Sequence, residues 1–198
     1  MASKHLVLFD FDGTLTKSDT LFAFIRFYHG TFKFVLGFVL LSPVMALYLA
    51  KLIPNDKAKE IVMTYFFGKV PVSKLKAKGI AFATTVVPTL LRDHGVALLR
   101  DYKEKQYDIA VVSASPEDWV GPWCEQWQIR CLATRLASTN NLITGKIEGK
   151  NCFGPEKARR IKEVYKLEDY DRVIAYGDSR GDREMLALAQ DAHYRFID

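Results

Sequence analysis

Two carboxylates two positions apart, Asp10 and Asp12, stand in the run Asp10-Phe11-Asp12-Gly13-Thr14, directly after an apolar stretch. Carboxylates at i and i+2, leaving a buried strand just before a Gly turn, can point toward one ligand. One can attack phosphorus as a nucleophile while the other protonates the leaving oxygen. Asp-Gly is also a common turn dipeptide, so a solvated turn would carry the same residues. A second acidic pair, Asp178 and Asp182, lies in Gly177-Asp178-Ser179-Arg180-Gly181-Asp182. At i and i+4 these fall on one side of a helix start, and hard carboxylate oxygens suit magnesium; Asp178 or Ser179 could equally cap that helix. In Val112-Ser113-Ala114-Ser115-Pro116 the Ser113 hydroxyl and the backbone N–H of Ala114 stand ahead of a helix and could hold a phosphate oxygen, although Ser before a helix is commonly a cap. Lys157 follows Pro155 by two residues, where a first helical turn is expected, and could neutralise phosphate charge if it is not simply solvated.

The elements that position these residues are short apolar runs at 5–9, 108–112 and 172–176, each stopping at one of the polar groups. Continuous runs of Val, Ile and Leu suit strands buried on both faces. Helical stretches at 116–128 and 155–165 alternate with them, which predicts an α/β fold with a Rossmann-like parallel sheet. Open α/β sheets bind ligands at the carboxyl ends of their strands. Three strands would therefore deliver Asp10 and Asp12, Ser113, and Asp178 and Asp182 to one sheet edge. Residues 134–149 predict a hairpin with its tip near Asn140-Asn141. The interval 17–95 reads instead as helices at 20–29, 32–52, 56–67 and 72–91, an inserted cap. The expected organisation is a core of 1–16 and 96–198 with a helical cap of 17–95. Trp119, Trp123 and Trp127 recur every four residues, the pattern of a helix face packed on the sheet.

With 198 residues, 49% hydrophobic and 26% charged, the chain can bury a core domain plus a modest insertion. A net charge of +5 favours anionic partners, but Lys and Arg are spread along the chain, so a solvated surface is expected and no nucleic-acid partner. Cys124, Cys131 and Cys152 show no CxxC spacing and read as reduced thiols; the four histidines form no metal-ligand spacing. No secretory signal is visible ahead of the first strand, which points to the cytoplasm.

Together, DFDGT, the strand ending in Ser113, Lys157 and GDSxxD resemble the haloacid dehalogenase superfamily in kind and order, across the whole core. The resemblance implies that Asp10 forms an aspartyl-phosphate and that Asp12 acts as general acid and then base. It implies that Ser113, Ala114 and Lys157 hold the phosphoryl group, and that Mg2+ is bound by Asp10, Asp178, the carbonyl of Asp12, and Asp182 directly or through water. Transport ATPases of this superfamily carry Thr where Asp12 stands, so Asp12 implies turnover with water or a hydroxyl acceptor. The insertion after the first motif is similar to the cap of phosphoserine phosphatases. The Cys152-x-Gly154-x-x-Lys157 stretch and an apolar cap segment are similar to bacterial phosphatidylglycerophosphate phosphatases. Gly13 and Asp19 stand where phosphoserine phosphatase usually has Ser and Glu, so the substrate stays open between a phosphorylated small molecule and a lipid phosphate. Asp19 could face that substrate or cap a helix. A non-catalytic membrane-associated module of the same fold is the alternative class, which intact Asp10, Asp12, Lys157 and Asp178 argue against.

Residues 34–50 carry no charge and are flanked by Lys33 and Lys51. A straight helix of that length spans about 26 Å, slightly short of the roughly 30 Å hydrocarbon core, and Ser42-Pro43 suggests a kink or two helices. Buried cap core, a hairpin dipping into the cytoplasmic face of a membrane or a lipid-facing groove, and a full span are the three readings.

Overall fold

The computed structural model describes residues 3–195; the outer ends of the expected core domain, 1–2 and 196–198, lie outside them. β1 (His5–Phe9) is central in a six-stranded sheet. It is flanked by β2 (Asp108–Pro116) and β5 (Arg172–Gly177), with β3 (Arg130–Thr139) and β4 (Leu142–Glu148) beyond β2 and β6 (Asp191–Tyr194) beyond β5. All pairings are parallel except β3 with β4, the expected hairpin, whose turn is Asn140 and Asn141, both at positive φ. The period of two along β1 divides the interior. Val7 and Phe9 face one cluster with Leu99, Trp123 and Tyr176, while Leu6 and Leu8 face a second with Val112, Ile161 and Met185. The chain leaves β1 toward β2 and β3 and later returns to β5 on the other side, so the strand order reverses at β1. That reversal opens a crevice at the carboxyl ends of β1, β2 and β5, where the acidic motifs stand.

Between β1 and β2 run α1 (Thr20–Leu40), α2 (Ser42–Leu49), α3 (Asn55–Phe67), α4 (Val72–Thr85), α5 (Val87–Leu90) and α6 (Asp93–Glu104). The helices expected at 20–29 and 32–52 are divided differently: α1 bends at Gly30, at φ 79°, and the break falls at Leu41, just before Pro43. The chain enters and leaves this region side by side. Thr16 and Leu91 form an antiparallel bridge, Lys17 N–H donates to Leu90 O at 2.7 Å, and Arg92 N–H donates to Leu15 O at 2.9 Å. α4 lies against α7 (Glu117–Trp127) closely enough that a Cβ on Gly79 would come within 1.9 Å of the Asp118 carbonyl oxygen.

The Trp stripe lies in one buried cluster with Phe9, Val111 and Ala133 of the sheet, as expected, and it reaches the inserted helices as well. Trp119 is buried and stacks on Phe24 of α1 at 4.3 Å, donating Nε1–H to Thr20 Oγ1, while Trp123 tilts against Phe11 of the motif turn. The indoles thus tie α1 and the first motif to α7. The segment 34–50 is neither buried core nor one span. Its inner face holds Phe38 against Phe66 at 5.4 Å, but α2 has no buried residue and the outer face of the segment, which bends at Leu41, is exposed. α1 is long and apolar enough to cross a membrane by length and composition, yet it bends and anchors Phe24 and Ile25 in the core.

Candidate active site

Asp10 is the first residue past β1, and its N–H donates to Tyr176 O at 2.9 Å, which pins it to the end of β5. Its buried carboxylate accepts from Lys157 Nζ at 2.5 Å through Oδ1 and from Thr14 Oγ1 at 3.3 Å through Oδ2. Burial pushes Asp10 up to about 8, against the pull of Lys157 and with added repulsion from Asp182 and Asp12. Lys157 comes from the first turn of α8 (Pro155–Val164) and is almost wholly buried. Burial alone would lower it, but Asp10 and Asp182 hold it above its ordinary value, so it remains an ammonium.

That ammonium also donates to Asp182 Oδ1 at 2.6 Å. The other oxygen of Asp182 accepts from the N–H of Asp178 at 3.2 Å and of Ser179 at 2.8 Å, and from Ser179 Oγ at 2.7 Å. Ser179 rather than Asp178 is therefore the helix cap, in a reciprocal capping box with Asp182. Asp178 is left to face the first motif: its Oδ1 accepts from Thr14 Oγ1 at 3.3 Å, and burial and Asp182 push its carboxyl up. Gly13 makes this approach available. It sits at φ 83°, and a Cβ there would lie 2.4 Å from Asp178 Oδ2. One oxygen each from Asp10, Asp178 and Asp182 lie within 4.8 Å of one another. Three carboxylates around a single ammonium leave a net negative cluster of hard oxygen donors, which fits a small divalent cation.

Asp12 points away from that cluster, toward the cap. Its Oδ1 accepts from the N–H of Thr20, the first residue of α1, at 2.6 Å, and its Oδ2 accepts from Ser113 Oγ at 3.4 Å. The carboxylate thus rests at a helix N-terminus, where negative charge is favoured. Asp19 caps the same helix, accepting from Leu21 N–H at 2.8 Å, and it also lines the cavity; burial and the neighbouring Asp12 push it up to about 6. Capping and cavity-lining are here one position rather than alternatives. Ser113 is fully buried beneath the cavity surface, accepting from Ser115 N–H at 3.0 Å, while Ala114 and Ser115 line the cavity itself.

The cavity is about 520 Å³ and is shared by core and cap. Asp10, Asp12, Lys157 and Asp178 form its core side; Phe22, Phe38, Met45 and Tyr48 form an apolar wall from α1 and α2. Sequence reasoning missed Lys59 of α3, which lines the cavity and donates to the Ala114 carbonyl and to Asn151 Oδ1. Burial lowers it to about 8, although Asp12 and Asp19 pull it upward. In the sequence Lys59 resembles Lys57, which merely pairs with Glu60 on the surface; the signal that separates them is spacing, since Asn55, Lys59 and Val62 share one face and all three line the cavity. Arg92, also missed, donates from Nε to the Gly13 carbonyl at 3.3 Å and so braces the motif turn from the cap's exit strand.

The chain is 35% identical over 194 residues to protein CicA of Caulobacter vibrioides, covering 97% of this chain and 86% of that protein. A Bordetella pertussis protein of unknown function shares its fold at a TM-score of 0.82, with 21% identity over 94% of this chain and 87% of the other. A substrate-bound phosphoserine phosphatase aligns at a TM-score of 0.68, with 19% identity over 96% of this chain and 84% of the other. These likenesses place the fold in the phosphoserine phosphatase-like group; they do not show the finer likeness to phosphatidylglycerophosphate phosphatases. The sequence profile of the haloacid dehalogenase-like hydrolases matches residues 7–187, and the chain belongs to that family.

Proposed function

We propose that this enzyme is a magnesium-dependent phosphatase that hydrolyses a phosphomonoester through an aspartyl-phosphate on Asp10. The observation that carries the reading is the convergence of Asp10, Lys157, Asp178 and Asp182 on one side of a cavity whose other polar corner is Asp12. Magnesium held by Asp10, Asp178, the Asp12 carbonyl, and Asp182 directly or through water would offset the charge on the phosphoryl oxygens when bound. In the first step a carboxylate oxygen of Asp10 forms a bond to phosphorus as the bond to the leaving oxygen breaks. Asp12 gives that oxygen its proton. In the second step Asp12 takes a proton from water as the water oxygen attacks phosphorus, and the phosphoryl–Asp10 bond breaks to release inorganic phosphate. Lys157 holds Asp10 in place throughout and offsets the charge of the transferring group, while Ala114, with Ser113 beneath it, borders the space the group would occupy. The order of roles is supported by the surroundings of the two aspartates. Asp10 is locked between Lys157 and Thr14, whereas Asp12 has no charged hydrogen-bond partner and is held by the Thr20 N–H and the Ser113 hydroxyl.

A substrate carrying its phosphate on an apolar body is favoured over a small, wholly polar metabolite by the wall of Phe22, Phe38, Met45 and Tyr48. Phosphate release from a panel of phosphorylated metabolites and lipid phosphates, with magnesium and with a chelator, tests both statements. Release should require the metal and fall by at least about 10³-fold in Asp10→Asn. Activity surviving in Asp10→Asn would rule out Asp10 as the nucleophile.

A further inference from the structure

We infer that the outward face of the bent segment formed by residues 31–40 and α2 is a docking surface for a bilayer carrying anionic lipids. The segment has two unlike faces. Inward, Phe38, Met45 and Tyr48 line the cavity. Outward, Phe32 is 79% exposed, Val39 62%, Leu40 60%, Leu49 76% and Leu52 70%, a run of large apolar side chains with no protein against it. An apolar helix inside a protein is mostly buried, yet only 17% of the apolar window of α1 is buried, and α2 has no buried residue.

Charge selects the occupant. Between Asp19 and Asp56 the sequence has no carboxylate, and Arg26, Lys33 and Lys51 supply its formal charges. Apolar side chains on a segment whose own formal charges are all positive match the interface of an anionic leaflet, where the apolar groups enter the acyl region and the lysines meet the headgroups. A second copy of the chain is a poorer partner, because a two-fold contact would set Lys33 and Lys51 against their own copies with no acid to pair. Leu41 is the single residue between α1 and α2, so the two meet at a bend. Residues 31–40 and α2 each extend roughly 12–15 Å, about half the hydrocarbon core, and with their inner side held on the cavity the segment lies along one leaflet and does not cross. Because the same two helices wall the cavity, docking would set the apolar side of the cavity beside the membrane.

Vesicle flotation of the full chain tests this. It uses neutral phosphatidylcholine vesicles and vesicles in which part of the lipid is phosphatidylglycerol. The chain should float with the anionic vesicles, more weakly at high salt, and the triple variant Val39→Glu, Leu40→Glu, Leu49→Glu should bind at least about tenfold less. Lys33→Glu with Lys51→Glu should remove the preference for anionic vesicles. Hydrolysis of a soluble aryl phosphate should be the same in all of these, since none of the substituted residues lines the cavity. Binding is read without turnover, so its loss and a failure of the phosphatase reading are separate outcomes. Wild-type chain that floats with neither vesicle would overturn the proposal. So would a triple variant that floats as well as wild type, or a solution dimer that the triple variant dissociates.

Discussion

On the floor of the cavity Lys157 bridges Asp10 and Asp182, Asp182 holds the turn that carries Asp178, and Thr14 lies between Asp178 and Asp10. Opposite them the wall of α1 and α2 is apolar, and the polar links between the inserted helices and the rest of the chain are dispersed, among them Thr20 N–H to Asp12, Thr20 Oγ1 to Ser115 Oγ, Lys59 to the Ala114 carbonyl and to Asn151 Oδ1, and Arg92 Nε to the Gly13 carbonyl. The core floor is a buried electrostatic network whose members are worth little singly and hold one another in register. The roof is held largely by area, with Phe24 stacked on Trp119 and α4 seated on α7. Asp12 stands between the two, held by Thr20 N–H from one side and Ser113 Oγ from the other. Under the proposed function the floor would carry the phosphoryl chemistry, and the apolar wall could be repacked without disturbing it.

The sharpest way to break this contrast is Lys157→Met. It leaves Asp10 and Asp182 as two buried carboxylates without their shared cation. Removing one partner of a buried network costs about 3–5 kcal/mol, and loss of a charge aimed at the transferring group costs at least about 10²-fold in turnover. The urea midpoint and phosphate release should fall together; a variant of unchanged stability would show that the floor is not held by this network. A smaller effect is expected from the roof. Gly79→Ala would bring a Cβ within 1.9 Å of the Asp118 carbonyl, so α4 must shift off α7. Overpacking typically costs about 1–3 kcal/mol, offset by up to about 1 kcal/mol of helix propensity. The chain should lose roughly 1–2 kcal/mol in the same denaturation measurement, with the Asp10–Lys157 floor still able to turn over a small aryl phosphate. Equal loss of turnover and stability would mean that cap and floor are one unit.

The floor was legible because strand ends and short motifs are local. A continuous apolar run that stops at a carboxylate reveals both the buried strand and the edge it serves, as at Asp10 and Asp178. The β3–β4 hairpin was legible for the same reason, its two turn residues being adjacent. What failed was contact between distant segments. Spacing shows that the Trp residues share a helix face and that the sheet lies against it, but not the further neighbour, Phe24, 95 residues earlier. The segment 34–50 was divided among burial, dipping and spanning because composition says that a face is apolar, not whether any protein covers it. β6, four residues long and half exposed, lacks the apolar run that marks β1 and β5. Lys59 was overlooked because a lysine on an amphipathic helix is ordinarily solvated, and only the docking of α3 over the Ser113-Ala114 strand end turns it inward.

Lys59 is also where floor and roof can be separated by pH. Burial lowers its ammonium from the ordinary 10.5 to about 8. The folded chain therefore binds fewer protons here than the unfolded chain between those two values, so this group makes stability rise with pH across that window and costs stability below it. Lys59→Met should accordingly stabilise the fold at pH 7 by about 1–2 kcal/mol, with the gain shrinking toward pH 10.5. Activity should move the opposite way. As an ammonium facing a cavity for an anionic ester, Lys59 aids binding below about pH 8 and stops doing so above it. In Lys59→Met, kcat/KM at pH 7 should fall about tenfold through KM, with kcat nearly kept, and the decline of wild-type kcat/KM above pH 8 should flatten. A fall in kcat instead, with the alkaline limb intact, would move Lys59 from the roof to the floor and erase the division between them.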